Sequence, residues 1–208
     1  MAQVRQRIVL GTTNPGKIRE LAAPLAAWGM EVSGLDAYPE IGRIEETGTT
    51  LEENALIKAR TVALYTGLVS VADDSGLMVD ALDGQPGIHS ARFADDWHSH
   101  DGETRDRRYI RKLLHVMSSV PEERRGCRFV ACMAAVRPDG MEMVVQGVWE
   151  GRLLAGPLGE NGFGYDPIFF DPEIGKTAAQ LTVEEKSVHS HRGKALRELL
   201  SRWQAFVA

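Results

Sequence analysis

Residues 69–77, with the sequence VSVADDSGL, constrain the fold of this chain more than any other stretch. The β-branched start, the lack of a helical period and the flanking Gly67 and Gly76 predict a short buried strand. Open α/β sheets place catalytic acids and metal ligands at the carboxyl ends of such strands. Because strand side chains alternate between faces, only one of Asp73 and Asp74 is expected to be the working carboxylate. The alternative is an acidic turn, since Asp-Ser-Gly is ordinary turn chemistry.

The composition fits a soluble globular protein. The 208 residues suffice for one large domain or one domain in two lobes, and we expect a single two-lobed domain over residues 1–208. A formal net charge of −5 disfavours nucleic acid as a partner. Cys127 and Cys132 have no second pair, which argues against a disulfide framework and fits a reducing compartment. Residues 1–7 do not resemble a signal peptide and no apolar run has membrane length, so we expect a cytoplasmic protein without a membrane partner.

Strands and helices are predicted to alternate early in the chain, and an antiparallel hairpin is predicted later. The first helix should begin with Asn14 as N-cap and Pro15 as its first residue, and Pro24 should kink or shorten it. This order of elements indicates an α/β fold with a mixed sheet, in which the hairpin can form part of a second lobe. The predicted strands are 7–11, 31–35, 69–77, 128–137 and 141–149, and further helices are predicted over 50–65, over 102–117 and from about residue 191.

The turn at residues 11–17 has the glycine and lysine spacing of a P-loop. The next residue is Ile18, where a P-loop has the Ser or Thr that holds magnesium, so we interpret the turn as a phosphate-binding turn of another kind. The helix N-terminus supplies N–H groups and a positive dipole end, and Lys17 adds a full charge. The alternative is a plain strand–turn–helix connection in which Asn14 only caps the helix.

A second acidic pair, Glu45 and Glu46, lies in the loop before the predicted helix 50–65. Together with Asp73 and Asp74, this pair forms an acidic set. A carboxylate near a phosphate usually indicates a divalent cation that bridges these two anions. Mg²⁺ prefers one or two carboxylates, with water and phosphate oxygens completing its shell. The alternative for the two glutamates is a solvated loop face.

The loop 159–167 combines glycines with aromatic side chains. Glycines on both sides of Phe163 let the backbone approach a flat ligand closely. Phe163 or Tyr165 can stack on a base, and Asp166 can accept a hydrogen bond from a ring N–H. The alternative is a tight surface loop with one aromatic side chain in the core.

Residues 186–193, with the sequence KSVHSHRG, break a local rule. Ser190 suits a helix N-cap, but Arg192 then lies at the helix end that disfavours cations. A residue that violates such a rule is a candidate for function. His189 and His191 have a metal-like spacing but no nearby Cys or acid, so zinc binding is not expected.

In combination, these motifs resemble the inosine/xanthosine triphosphate pyrophosphatases, the Ham1-like house-cleaning nucleotide hydrolases. Each motif alone is weak, but together they occur in the family's order and span nearly the whole chain. The matching segments are residues 12–17, 45–48, 53–55, 72–77, 86–92, 162–167 and 190–193.

The resemblance implies an α/β fold whose mixed β-sheet has flanking helices, with two lobes around a central nucleotide cleft, and it implies a homodimer. It also implies an activity: hydrolysis of non-canonical purine nucleoside triphosphates (ITP, dITP, XTP) to the monophosphate and pyrophosphate. The attack of water on the α-phosphorus would be assisted by magnesium, and the reaction would cleanse the nucleotide pool.

Carried onto this chain, the resemblance assigns residues to metal and substrate. Glu46 and Asp74 should bind Mg²⁺, and Asp74 should orient or deprotonate the attacking water. Phe163 should stack on the base. Whether Lys58 contacts phosphate or only packs is left open. The other residues expected at the substrate are Thr12, Thr13, Asn14, Pro15, Gly16 and Lys17 at the triphosphate, Ser75 beside Asp74, Gly164, Tyr165 and Asp166 around the base, Lys186 at the nucleotide, and His191 and Arg192 at the keto edge of the base.

The choice of base can be argued from chemistry alone. Hypoxanthine and xanthine present an acceptor at position 6 and a donor at N1, and adenine presents the reverse. A site with donors from Arg192 or the backbone and an acceptor from Asp166 would leave buried groups unpaired with adenine, which can discriminate by orders of magnitude.

Two other functions remain as alternatives. A P-loop-like NTPase or kinase would use residues 11–17 and the acid-bearing strand, and Ile18 counts against it. A non-catalytic nucleotide-binding protein would bind ITP without hydrolysing it, and the acidic set counts against that function. The identity of the products separates all three.

Overall fold

The computed structural model describes residues 6–208. Seven strands form one sheet in the order β2-β1-β3-β4-β5-β6-β7. β1 pairs in parallel with β2 and β3, whereas β5–β6 and β6–β7 pair antiparallel, so the sheet is mixed as predicted. The strands are β1 (Arg7–Leu10), β2 (Glu31–Ser33), β3 (Val69–Val79), β4 (Gly126–Val136), β5 (Glu142–Leu153), β6 (Phe169–Asp171) and β7 (Lys176–Thr177).

Five helices accompany the sheet in the described part of the chain: α1 (Pro15–Ala27), α2 (Leu51–Thr66), α3 (Arg105–Val116), α4 (Val183–His189) and α5 (His191–Val207). None of the helices described is both long and apolar enough to cross a membrane. Residues 1–5, which belong to the segment used for the targeting prediction, lie outside the described residues.

Local signals set most helix boundaries. Asn14 caps α1 and Pro15 is its first residue, as predicted. Thr50 and Glu53 form both hydrogen bonds of a capping box at the start of α2. Pro24 does not end α1, which continues to Ala27. At the hairpin, the N–H of Gly140 donates to the carbonyl of Arg137 at 3.0 Å, which confirms the predicted turn between β4 and β5.

The extent of β3 differs from the prediction. The strand does not end at the acids but runs on to Val79, so Asp73 and Asp74 lie in its middle and the turn alternative is wrong. Gly76 therefore serves a close approach instead of a turn. A Cβ at Gly76 would lie 2.2 Å from the carbonyl oxygen of Gly87, a contact that only glycine permits.

The chain divides into two compact units. The first unit comprises the chain through Asp74, Ala131–Gly147 and Arg192–Ala208; the second comprises Ser75–Val130 and Val148–His191. The predicted hairpin is divided, because its tip belongs to the first unit. That residues 1–208 form a single two-lobed domain stays a prediction.

Each unit has its own hydrophobic core. In the first unit, buried side chains of α1, β1, β3 and β4 pack with those of α5, among them Leu21, Val71, Met133 and Trp203. In the second unit, α3 packs its buried face, including Leu113, with aromatic side chains such as Trp149, Tyr165 and Phe169. Amphipathic packing of this kind supplies most of the stability of helices this short.

Candidate active site

The turn before α1 is organised by its own side chains. The Oδ1 atom of Asn14 accepts hydrogen bonds from the backbone N–H groups of Gly16 and Lys17, at 2.8 and 3.3 Å. The hydroxyl oxygen of Thr12 accepts from the N–H of Asn14 at 3.1 Å. Thr13 and Pro15 are exposed at the tip of the turn. The capping function of Asn14 is confirmed, and phosphate binding by residues 12–17 stays a prediction.

Asp73 is the acid that pairs with two cations of the first unit, the half-buried Lys17 and the buried Arg192. The Nζ atom of Lys17 lies 2.9 Å from Oδ1 of Asp73 and also donates to its carbonyl oxygen at 3.1 Å. Arg192 donates to Oδ2 of Asp73 through Nε and Nη2, both at 3.1 Å, and through Nη1 to Glu20 at 2.5 Å. Burial alone would raise the pKa of Asp73, but the charges of Arg192 and Lys17 hold it well below the usual range of a carboxyl group.

This cluster explains why a cation can lie at the start of α5. The guanidinium of Arg192 is ion-paired with Asp73 and Glu20, which offset the unfavourable helix dipole. Glu20 was not singled out by the sequence, because nothing in its local pattern points to a partner 172 residues away. The expected contact of Arg192 with the keto edge of a base stays a prediction.

Asp74 belongs to a different cluster. Lys58 of α2 donates from Nζ to Oδ1 of Asp74 and to Oε1 of Glu46, both at 2.8 Å. Asn54, one helical turn earlier on the same face, donates to Oδ2 of Asp74 at 3.4 Å. Asp73 and Asp74 therefore contact separate sets of partners, as the alternation of strand side chains requires. Burial raises the pKa of Asp74, although the charge of Lys58 opposes the shift.

Asn54 also fixes the loop that carries Glu46. Its Oδ1 atom accepts from the N–H of Gly48 at 2.9 Å, while its amide group donates to Asp74. This side chain thus connects the loop to the strand. Asn54 is 0% exposed, and its contact with Asp74 is buried.

The donor set at Glu46 and Asp74 suits a hard divalent cation. Both carboxylates contact the same ammonium group, so they lie within reach of one cation. Within the described residues, no group of three or more His, Cys, Asp or Glu side chains is arranged to hold a metal ion. Two carboxylates completed by water and phosphate oxygens is the set that Mg²⁺ prefers.

In the second unit, the glycine-rich loop is built around Asp166. Oδ2 of Asp166 accepts from the N–H of Phe163 at 2.9 Å and from Nζ of Lys186 at 2.5 Å. The same ammonium group lies 4.9 Å from the centroid of the Phe163 ring. A Cβ at Gly162 would lie 2.0 Å from Oδ2 of Asp166, so only glycine fits there. The structure thus brings together Phe163 and Asp166, both predicted at the base, and Lys186, predicted at the nucleotide.

Tyr165 anchors this loop from inside the core. Its side chain is buried, its hydroxyl donates to the carbonyl of Ser90 at 3.0 Å, and its ring stacks on Tyr109. The N–H of Gly164 donates to Asp106 of α3 at 2.7 Å. The segment 86–92, to which the sequence assigned no role, therefore supports the loop through Ser90.

His191 and Ser75, which were also predicted at the substrate, belong to the second unit. His191 is buried in the second unit, where its ring stacks on Phe129 with centroids 4.8 Å apart. Ser75, the first residue of the second unit, is half-buried.

Helix α4, which carries Lys186, was missed by the sequence analysis, although Thr182 and Glu185 form a capping box that marks its start. Asp106 and Tyr109 had no sequence signal, because their partners are fixed only by the fold.

Comparison with known proteins agrees with this architecture. The model of the Ham1 family matches residues 8–202. A dITP/XTP pyrophosphatase of Nitratidesulfovibrio vulgaris is 57% identical over 199 residues, which cover 96% of both chains. A HAM1 protein structure from Coxiella burnetii is 37% identical, with a TM-score of 0.83, over 96% of this chain and 99% of that chain. The structure of a nucleoside-triphosphatase, or dITP/XTP pyrophosphatase, from Mycobacterium abscessus is 47% identical, with a TM-score of 0.73, over 94% of this chain and 99% of that one.

The fold and these similarities define an α/β protein with a mixed sheet of the kind found in solved Ham1 proteins. The chain belongs to the Ham1 family.

Proposed function

We propose that this chain hydrolyses the triphosphates of hypoxanthine and xanthine nucleotides (ITP, dITP and XTP) to the monophosphate and pyrophosphate. The observation that carries the proposal is the contact of Glu46 and Asp74 with one ammonium group, which gives a paired-carboxylate site beside a cationic turn. Relatives at 57% and 47% identity are dITP/XTP pyrophosphatases. The homodimer and the cytoplasmic location expected from the sequence remain predictions.

The first unit is proposed to act on the triphosphate. Glu46 and Asp74 would hold Mg²⁺, which supplies charge neutralisation at the phosphate oxygens when bound. Asp74 would orient the attacking water and accept its proton. Lys17, at the first turn of α1, would stabilise negative charge on the pyrophosphate leaving group.

The second unit is proposed to select the base. Phe163 is half-buried and flanked by glycines, as a stacking platform requires. Asp166 would accept from N1–H and Lys186 would donate to the 6-oxo oxygen, because these two groups form an adjacent acceptor and donor. Lys186 is proposed for the keto contact because it lies beside Asp166 and the Phe163 ring. The contact predicted for Arg192, which is ion-paired with Asp73 and Glu20, is the alternative. Adenine presents an acceptor at N1 and a donor at position 6, so neither Asp166 nor Lys186 would find its complement on the base.

The function is tested by identifying products. Incubation with ITP, dITP, XTP, ATP and GTP plus Mg²⁺ should release pyrophosphate and the monophosphate from the first three. Chromatography of the nucleotides and separate assays of pyrophosphate and orthophosphate make the measurement. Release of orthophosphate from ATP without pyrophosphate from ITP would support a P-loop-type NTPase instead. Tight binding of ITP with no product would support a non-catalytic binding protein.

Base selection is tested with Asp166→Asn. The amide keeps the shape of the side chain but can donate to N1 of adenine, so the ratio of kcat/KM for ITP over ATP should fall at least about tenfold. Asp171→Asn is the matched control, because Asp171 is also buried and accepts a hydrogen bond from Nε1 of Trp149 at 2.7 Å, whereas Asp166 accepts from Phe163 and Lys186. An unchanged ratio in Asp166→Asn would remove Asp166 from base recognition.

A further inference from the structure

Lys58 forms ion pairs with both carboxylates that are proposed to hold the metal ion. Its Nζ atom lies 2.8 Å from a carboxylate oxygen of Glu46 and 2.8 Å from one of Asp74. The side chains of Lys58 and Asp74 are 9% and 10% exposed, so their contact is shielded from water, whereas the side chain of Glu46 is 29% exposed. One positive charge therefore offsets part of the two negative charges.

We infer that Lys58 competes with the divalent cation for Glu46 and Asp74, so that the free protein binds the metal weakly and binds it well only together with the triphosphate. This inference rests on the proposed function for the identity of the second ligand. The ion pairs with Glu46 and Asp74 show that Lys58 does more than pack, and its contact with phosphate stays open.

The electrostatics of the site support the competition. An ammonium group within hydrogen-bonding distance of both ligands repels an incoming dication and must be displaced before both carboxylates can coordinate it. The described residues offer no third acid, His or Cys in a metal-binding group that would offset this cost. Triphosphate oxygens supply the missing ligands, so metal and nucleotide should bind cooperatively.

The backbone of Lys58 is held in place, so displacement must come from its side chain. A Cβ at Gly11 would lie 3.6 Å from the carbonyl oxygen of Lys58 and 3.0 Å from Cβ of Ala72, so α2 packs directly on the end of β1. Asn54, on the same face of α2, is tied to Gly48 and Asp74. The flexible four-carbon stem of lysine can still move the ammonium group without moving the helix.

The test measures Mn²⁺ binding without nucleotide, by the loss of the free-ion signal in electron paramagnetic resonance. Lys58→Met should bind Mn²⁺ at least about tenfold more tightly than the wild type, a coupling of ordinary size. Lys58→Arg keeps the charge and should match the wild type. Lys176→Met is the control, because it removes a lysine that pairs with the exposed Glu185. Equal affinity in wild type and Lys58→Met would overturn the inference.

A second measurement uses the wild type and does not depend on the folding of a variant. Amine acylation followed by peptide mass spectrometry should show Lys58 becoming more reactive at saturating Mn²⁺, with Lys176 unchanged. Unchanged reactivity of Lys58 would overturn the inference. These measurements need no turnover, so a failed product assay with tighter Mn²⁺ binding in Lys58→Met would reject the proposed function and leave the competition standing.

Discussion

Asp74→Asn should lower kcat for ITP by about 1,000-fold or more while leaving the fold intact. The amide can still accept from Lys58 through its oxygen, so the contact that positions the side chain is retained in part. It cannot take a proton from water, and it is a weaker ligand for a hard cation than a carboxylate. Because Asp74 would act mainly on the reacting water, kcat should fall much more than KM changes. Steady-state release of pyrophosphate measures both constants.

Glu142→Gln is the matched control for this variant. Glu142 is also an acid of the first unit in an ion pair, with Arg60, but it lies at the hairpin outside both acidic clusters. The activity of Glu142→Gln should stay within about twofold of the wild type, since exposed ion pairs contribute little to stability. Circular dichroism and urea unfolding check that Asp74→Asn is folded. Activity of the folded Asp74→Asn protein within about tenfold of the wild type would remove Asp74 from the mechanism.

Sequence reasoning succeeded where the physical cause is local. The Asn14 cap, the Thr50–Glu53 capping box and the turn before Met141 each depend on residues a few positions apart, so their patterns predicted them. The opposite orientation of Asp73 and Asp74 also followed from strand geometry alone. Helix α4 had the same kind of local signal, the capping box of Thr182 and Glu185, and was missed.

Prediction from the sequence failed where a feature depends on tertiary contacts. β3 continues through Gly76, which lies against the carbonyl of Gly87. From the sequence alone, a glycine after Asp-Ser indicates a turn, so the strand was predicted too short. The rule-breaking position of Arg192 is explained by Asp73 and Glu20, 119 and 172 residues away. Sequence spacing carries no information on such contacts. The unfavourable position of Arg192 at a helix N-terminus indicated an unusual site, but it did not identify the partners of Arg192.

Asp73→Asn should lower the free energy of unfolding at pH 7 by about 3 kcal/mol or more. The carboxylate is 0% exposed and is the shared partner of Lys17 and Arg192. Asparagine keeps the shape but removes the charge, leaving the two cations to repel one another. Asp80→Asn is the matched control, because Asp80 pairs with Arg128 at an exposed site and should cost at most about 1 kcal/mol. Urea unfolding followed by fluorescence measures both variants.

The pH dependence separates loss of this charge from a general packing defect. The folded-state pKa of Asp73 is lowered, so its stabilising contribution is fully present above the unfolded pKa of about 4 and is lost as pH falls through the lower, folded value. The stability difference between wild type and Asp73→Asn should therefore stay constant from about pH 7 to pH 5 and narrow below about pH 4. A difference that persists unchanged at the lowest pH where both proteins fold would mean that the variant disturbs packing. In that case the ion pairs with Lys17 and Arg192 would not be what holds this part of the first unit together.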